Sequence, residues 1–217
     1  MVRVKICGNR TLEDALLAVS GGADAIGLIV GVRHESEDAL KAETSGEILR
    51  AIPPLVSTVL VTHLLHAQEI LDILAVVPAT TIQLHDRISI EEINALRHRL
   101  PHVKLIKAIH VTDRTSIQSA EVFAGHVDAL ILDSLTRNKI GGTGIVHDWD
   151  ISREIVQSVN KPVILAGGLT PENVVEAIHH VNPYGVDVNT GVQAPNGRKD
   201  PQKVRDFIRL ARNAGLR

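Results

Sequence analysis

The chain has 217 residues with 23 Lys+Arg against 25 Asp+Glu, so its charge argues for neither nucleic acid nor an anionic membrane as partner. One cysteine excludes an intrachain disulfide framework and suits a reducing compartment. No charged-then-apolar leader and no membrane-length apolar run is found, so the expected location is the cytoplasm. Aromatic residues are only 2%, which predicts a core of Ile, Leu, Val and Ala suited to buried parallel strands.

The first strand is expected near 3–7, Arg3-Val4-Lys5-Ile6-Cys7, and it stops at Gly8-Asn9. Alternation sets Arg3, Lys5 and Cys7 on one face and Val4 and Ile6 on the other. In a barrel, Lys5 and Cys7 would face the axis, with Cys7 at the carboxyl-end rim where barrel chemistry is done. A buried, inert thiol is the competing reading. Further strands are expected near 24–30, 55–61, 80–84, 103–109, 127–132, 162–166 and 184–188. Helices are expected near 11–20, 43–51, 66–76, 90–99, 114–124, 149–158, 171–180 and 200–213.

Local signals set the boundaries. Thr11 precedes Leu12-Glu13-Asp14, Gly21-Gly22 stops the first helix, and Pro53-Pro54 ends the second. Thr170-Pro171 reads as an N-cap followed by proline at the first helical position. The segment 31–46 is long and polar, a loop and first turn after the second strand. Eight strand-then-helix units call for a parallel sheet with right-handed crossovers. An open doubly wound sheet would favour a Gly-rich turn after its first strand, which is absent. The expected fold is therefore α/β, a (β/α)8 barrel forming one domain over 1–217, a size that such barrels reach at roughly 200–250 residues.

Several stretches could carry chemistry. Asp133 follows four apolar residues at the end of the sixth strand, where desolvation raises a carboxyl pKa and suits it to give a proton; loop capping is the alternative. Gly141-Gly142-Thr143-Gly144 could close over a ligand. Gly167-Gly168 follows the seventh strand and Asn189-Thr190-Gly191 the eighth. Together they fit the phosphate site that such barrels build there from backbone N–H groups, with Thr190 adding a hydroxyl. Of 11 histidines, His85 and His110 end strands and could face the rim, while His63 and His66 lack partners at metal-ligand spacing.

Taken in order, Lys5-Ile6-Cys7-Gly8-Asn9-Arg10, Gln83-Leu84-His85, Leu132-Asp133-Ser134, Gly141-Gly142-Thr143-Gly144, Leu165-Ala166-Gly167-Gly168, Gly185-Val186-Asp187-Val188 and Gly197-Arg198-Lys199-Asp200 resemble the phosphoribosylanthranilate isomerase family of tryptophan biosynthesis. The resemblance runs from residue 3 to about 208. It implies a (β/α)8 barrel performing an Amadori rearrangement of a phosphoribosyl amine. It also implies Cys7 as general base, Asp133 as general acid, and a phosphate grip at Gly167, Gly168, Asn189, Thr190 and Gly191; a base of this kind must be a thiolate, and nearby Lys5 could help lower its pKa. It implies no metal and no organic cofactor. The implied partner is a small phosphorylated substrate, with monomer and homodimer both open.

The resemblance lapses after the second strand. The family's Ser-Pro-Arg turn, whose arginine meets the anthranilate carboxylate, reads Arg33-His34-Glu35-Ser36, with Ser36 in the arginine's register and Arg33, Arg10 and Arg137 as candidate replacements. The family's arginine after the fifth strand reads His110. Beside the isomerase reading stand two others: an isomerase of another phosphosugar amine, and a non-catalytic barrel binding a phosphorylated metabolite.

Overall fold

The computed structural model describes residues 1–33, 36–136, 139–140 and 147–215. Eight parallel strands form the barrel: β1 (Arg3–Ile6), β2 (Ala25–Ile29), β3 (Ser57–Thr62), β4 (Thr81–Leu84), β5 (Lys104–Val111), β6 (Ala129–Thr136), β8 (Val163–Leu165) and β9 (Gly185–Val188). Around it lie α1 (Leu12–Ser20), α2 (Ala42–Arg50), α3 (Ala67–Leu74), α4 (Ile90–Arg99), α5 (Thr115–Ala124), α6 (Trp149–Ser158), α7 (Val174–Val181) and α8 (Pro201–Ala214). The strands run in the order β5-β4-β3-β2-β1-β9-β8-β6, and β5 pairs with β6 to close the ring.

Two local expectations are corrected. A ninth strand, β7 (Lys139–Ile140), pairs antiparallel with β6, because β6 runs past the rim to Thr136 and folds back. Helix α7 begins at Val174, not at Pro171. The Asn173 and Val174 N–H groups both donate to Thr170 O, so residues 171–173 form a turn ahead of the helix.

Alternation splits each strand between two environments. Val4, Ile6, Ile26, Leu28, Leu60, Ile82, Leu84, Leu105, Ile109, Leu130, Leu132, Val186 and Val188 pack outward with the helices in one core. The lumen holds two small apolar clusters, Cys7 with Val59 and Val61, and Ile106, Ala108, Ile131 with Ala166. Lys5, Gln83, His85 and Asp187 are also buried, and β1 and β9 set Lys5 against Asp187 in register. That polar content comes from the same alternate positions that elsewhere supply valine and isoleucine.

Candidate active site

Cys7 follows the last residue of β1, and its N–H donates to Val188 O of β9 at 2.9 Å. Gly8 then turns the chain away with φ +63, and Asn9 ties the turn down by donating Nδ2 to Ile6 O and Gly27 O. Lys5 and Cys7 share one face, and Gly27 makes room for both. A Cβ there would lie 2.9 Å from Cys7 Sγ and 3.1 Å from Lys5 Nζ. The alternation expected for β1 is thus the one found.

Lys5 Nζ donates to Asp187 Oδ1 at 3.0 Å, both buried. Burial works against the Lys5 charge, but Asp187 and then Cys7 hold its pKa above the ordinary lysine range. The Cys7 thiol is pushed up by burial, which outweighs the pull of Lys5, and Asp187 pushes it further. The expected lever is therefore only partial. Lys5 attracts a thiolate, but its paired carboxylate repels it.

Asp133 reaches the same mouth from β6. Its carboxyl is pushed up to about 7, chiefly by burial; the Ser134 N–H and Lys5 pull down and Asp187 pushes up. That leaves a carboxyl able to give a proton near neutral pH. His85 Nε2 lies 3.7 Å from Asp133 Oδ2, and burial holds the His85 pKa well below the usual range, so the ring is neutral. Gln83 Nε2 sits 3.2 Å from His85 Nδ1; as donor it fixes the ring proton on Nε2, toward Asp133. His63, His85 and His110 form a row on β3–β5, with ring centroids 4.8 and 5.2 Å apart.

The glycine loops meet between these two groups, since β9 and β8 separate β1 from β6 around the ring. Gly167 and Gly168 have φ of +76 and +70. A Cβ on Gly167 would lie 2.4 Å from Ser134 Oγ and 3.0 Å from Asp133 Oδ1. Residues Thr190–Val192 form a short 3-10 helix, and a Cβ on Gly191 would fall 1.9 Å from Leu169 O. Glycine is thus required where the loop after β9 presses on the loop after β8.

Asn189 does something other than face that pocket. Its Nδ2 donates to Asp38 Oδ2 at 2.8 Å, and its Oδ1 accepts from Lys199 Nζ at 2.8 Å. Asp38, on the β2–α2 connection, also accepts from Arg10 Nε at 2.7 Å. Arg33 is exposed and engages no other described residue through a hydrogen bond or ion pair. Gly141-Gly142-Thr143-Gly144, His34-Glu35 and Arg137 lie outside the described residues. Among the described residues, no cluster of three or more His, Cys, Asp or Glu could hold a metal ion, and no helix is long and apolar enough to cross a membrane.

The family model of N-(5′-phosphoribosyl)anthranilate isomerase matches residues 4–210. The chain belongs to the phosphoribosylanthranilate isomerase family. N-(5′-phosphoribosyl)anthranilate isomerase 2 of Methanosarcina mazei is 48% identical over 214 residues, 98% of this chain and 95% of the relative. The crystal structure of the Thermotoga maritima enzyme superposes with a TM-score of 0.87 at 34% identity, covering 98% of this chain and 100% of that one. Another family structure, in complex with reduced 1-(o-carboxyphenylamino)-1-deoxyribulose 5-phosphate, has a TM-score of 0.83 at 33% identity, with 98% and 100% covered. Membership makes the chain an enzyme, an isomerase with a (β/α)8 barrel, and sets aside the non-catalytic reading.

Sequence reasoning assigned no role to Asp187, Lys199 or Asp38, and missed His63. Asp187 was findable, because a carboxylate at an inward position of a buried strand needs a partner and Lys5 is the inward cation on β1. Lys199 and Asp38 lie in loops, where no periodicity tells which way a side chain points.

Proposed function

We propose that Cys7 and Asp133 are the general base and general acid of this isomerase of tryptophan biosynthesis, acting on N-(5′-phosphoribosyl)anthranilate. One observation carries the reading. A thiol and a carboxyl held near pH 7 converge on one mouth, on strands separated by the two glycine loops. Phosphate held by the Gly167-Gly168 and Thr190-Gly191 backbones would set the ribose between the two groups. Asp133 gives its proton to the ring oxygen, and the furanose opens to a Schiff base. The Cys7 thiolate then takes the C2 proton, giving the enol-amine that becomes the ketose. The aryl group is directed across the mouth to the wall of β3–β5, where His63, His85 and His110 stand.

Every group in this reading comes from one chain, so it holds for monomer and homodimer alike. The barrel acts as one domain, works in the cytoplasm and needs no metal or organic cofactor. The test follows the loss of anthranilate ribotide fluorescence. Cys7→Ala and Asp133→Asn should each lose about 10²–10⁴-fold in kcat while still binding inorganic phosphate. Full turnover by Cys7→Ala would overturn the assignment.

A further inference from the structure

The loop between β9 and α8 brings a second lysine to the mouth. Lys199 is buried, and Nζ donates to Asn189 O at 3.1 Å and to Asn189 Oδ1 at 2.8 Å. A Cβ on Gly8 would lie 2.3 Å from that same Oδ1, so the ammonium sits beside the turn that carries Cys7.

The surrounding carboxylates are already engaged. Asp187 is paired with Lys5 at 3.0 Å, Asp38 with Arg10 at 2.7 Å, and Asp14 accepts from Arg198 Nε at 3.0 Å on both oxygens. Those four elements contribute the charged groups that face Lys199 and Cys7: Lys5 from β1, Asp187 from β9, Asp38 from the β2–α2 connection and Asp14 from α1. Glu37 and Glu13 also touch Arg10 and Arg198, but both are largely exposed and screened by water. Among the described residues, no carboxylate forms an ion pair with Lys199 Nζ. Each of the three buried carboxylates thus answers to another cation, Asp187 to Lys5, Asp38 to Arg10 and Asp14 to Arg198, while Lys199 Nζ rests on the oxygens of Asn189. A buried cation without a counter-ion is costly, and it favours a neighbour that becomes negative.

We propose that Lys199 is a positioning residue for the reaction, its unpaired ammonium being the counter-charge that stabilises the Cys7 thiolate. The inference rests on Cys7 being the base. Lys5 cannot do this alone, because a thiolate added beside the Lys5–Asp187 pair meets a carboxylate as well as an ammonium. Burial of Lys199, which pushes its own pKa down to about 8, is relieved when the sulfur ionises. The alternative counter-ion is the substrate phosphate, since Asn189 leads into the Thr190-Gly191 turn.

Cys7 is the chain's only cysteine, so the pH dependence of iodoacetamide alkylation of the intact folded protein reads this thiol without using activity. Lys199→Met should move the alkylation inflection up by about one pH unit, about tenfold in rate below the inflection. It should also lower kcat more than it raises KM. Lys199→Arg should keep the inflection near that of the parent, and Asp187→Asn, which frees Lys5, should lower it. An inflection unmoved in Lys199→Met overturns the proposal, above all if inorganic phosphate then binds more weakly. An arginine variant as impaired as the methionine one also overturns it, as loss of loop packing. If Lys199→Met does not fold, Lys199→Gln carries the same comparison. Undiminished turnover in Cys7→Ala would remove the base assignment alone, whatever the alkylation profile shows.

Discussion

Replacing Asp133 by Asn should make this protein more stable while destroying its catalysis. The carboxyl is raised from 3.8 to about 7 by its surroundings. Between those values the folded chain keeps a proton that the unfolded chain has released. Stability therefore falls as pH rises from about 4 to about 7, and the full deficit persists above that window. At 1.36 kcal/mol per unit, the shift of about three units corresponds to about 4 kcal/mol. This is an upper bound, because the side chain keeps 13% of its exposure. Asn cannot ionise, and its Oδ1 can still accept the Ser134 N–H now bonded at 2.7 Å. Urea unfolding of parent and Asp133→Asn, at equal m-values, should show the variant ahead by up to about 4 kcal/mol at alkaline pH, shrinking to less than half of that near pH 5. Equal differences at the two pH values, or a variant less stable than the parent under alkaline conditions, would refute the claim that Asp133 is held protonated by burial.

Lys5→Met strands the Asp187 carboxylate inside the barrel and should cost about 3–5 kcal/mol. Lys5→Met with Asp187→Leu should recover most of it, and additive losses in that cycle would show that the two do not act as a pair. Gly191→Ala drives a Cβ to 1.9 Å from Leu169 O. It should raise KM and weaken inhibition by inorganic phosphate more than it lowers kcat, with overpacking costing about 1–3 kcal/mol; an unchanged phosphate affinity would count against the loops as the grip. Lys107 faces outward from β5, donates to Ala108 O, and lies 5.2 Å from the Phe123 ring centroid. Burial lowers its pKa to about 8. The folded chain thus resists protonation there, and the deficit is full below about pH 8 and gone above about 10.5. Lys107→Met should gain about 2–3 kcal/mol at pH 7 in urea unfolding, and no gain would mean the ammonium reaches water.

Both the barrel and its chemical end were legible for a physical reason. A strand buried on both faces leaves a dense apolar signature, so Ile26-Gly27-Leu28-Ile29 or Ala129-Leu130-Ile131-Leu132 mark themselves. A polar residue interrupting that signature stands out, which is why Cys7 and Asp133 could be singled out from position. The positive φ angles at Gly167 and Gly168 likewise answer to glycines visible in sequence. The β6–β7 return left no mark, because two residues carry no period. Nor did the loop contacts, since the Asp38–Asn189 and Lys199–Asn189 bonds join residues 151 and 10 positions apart. Only tertiary geometry decides such pairings, and with them the fate of Arg10, which the sequence left free to replace the missing arginine and the structure commits to Asp38.

The lumen's polar content then explains why the acid and the base come out differently. Both sit in one buried mouth, and burial pushes both pKa values up. For Asp133 that is what catalysis needs, since an acid must still hold its proton near neutral pH. For Cys7 it is the reverse, since only the thiolate can take a proton from carbon. A barrel lined with valine alone could satisfy the first demand and never the second. The Lys5–Asp187 pair does not resolve the conflict, because its two charges act on the sulfur with opposite sign. If Lys199 is the counter-charge of the thiolate, its ammonium is what separates the two groups. That charge lies on the β1–β9 side of the mouth with Lys199, while Asp133 stands on β6 among neutral histidines and the Gly167 backbone. Acid and base are thus set apart within one buried mouth by which side of it carries the unpaired ammonium.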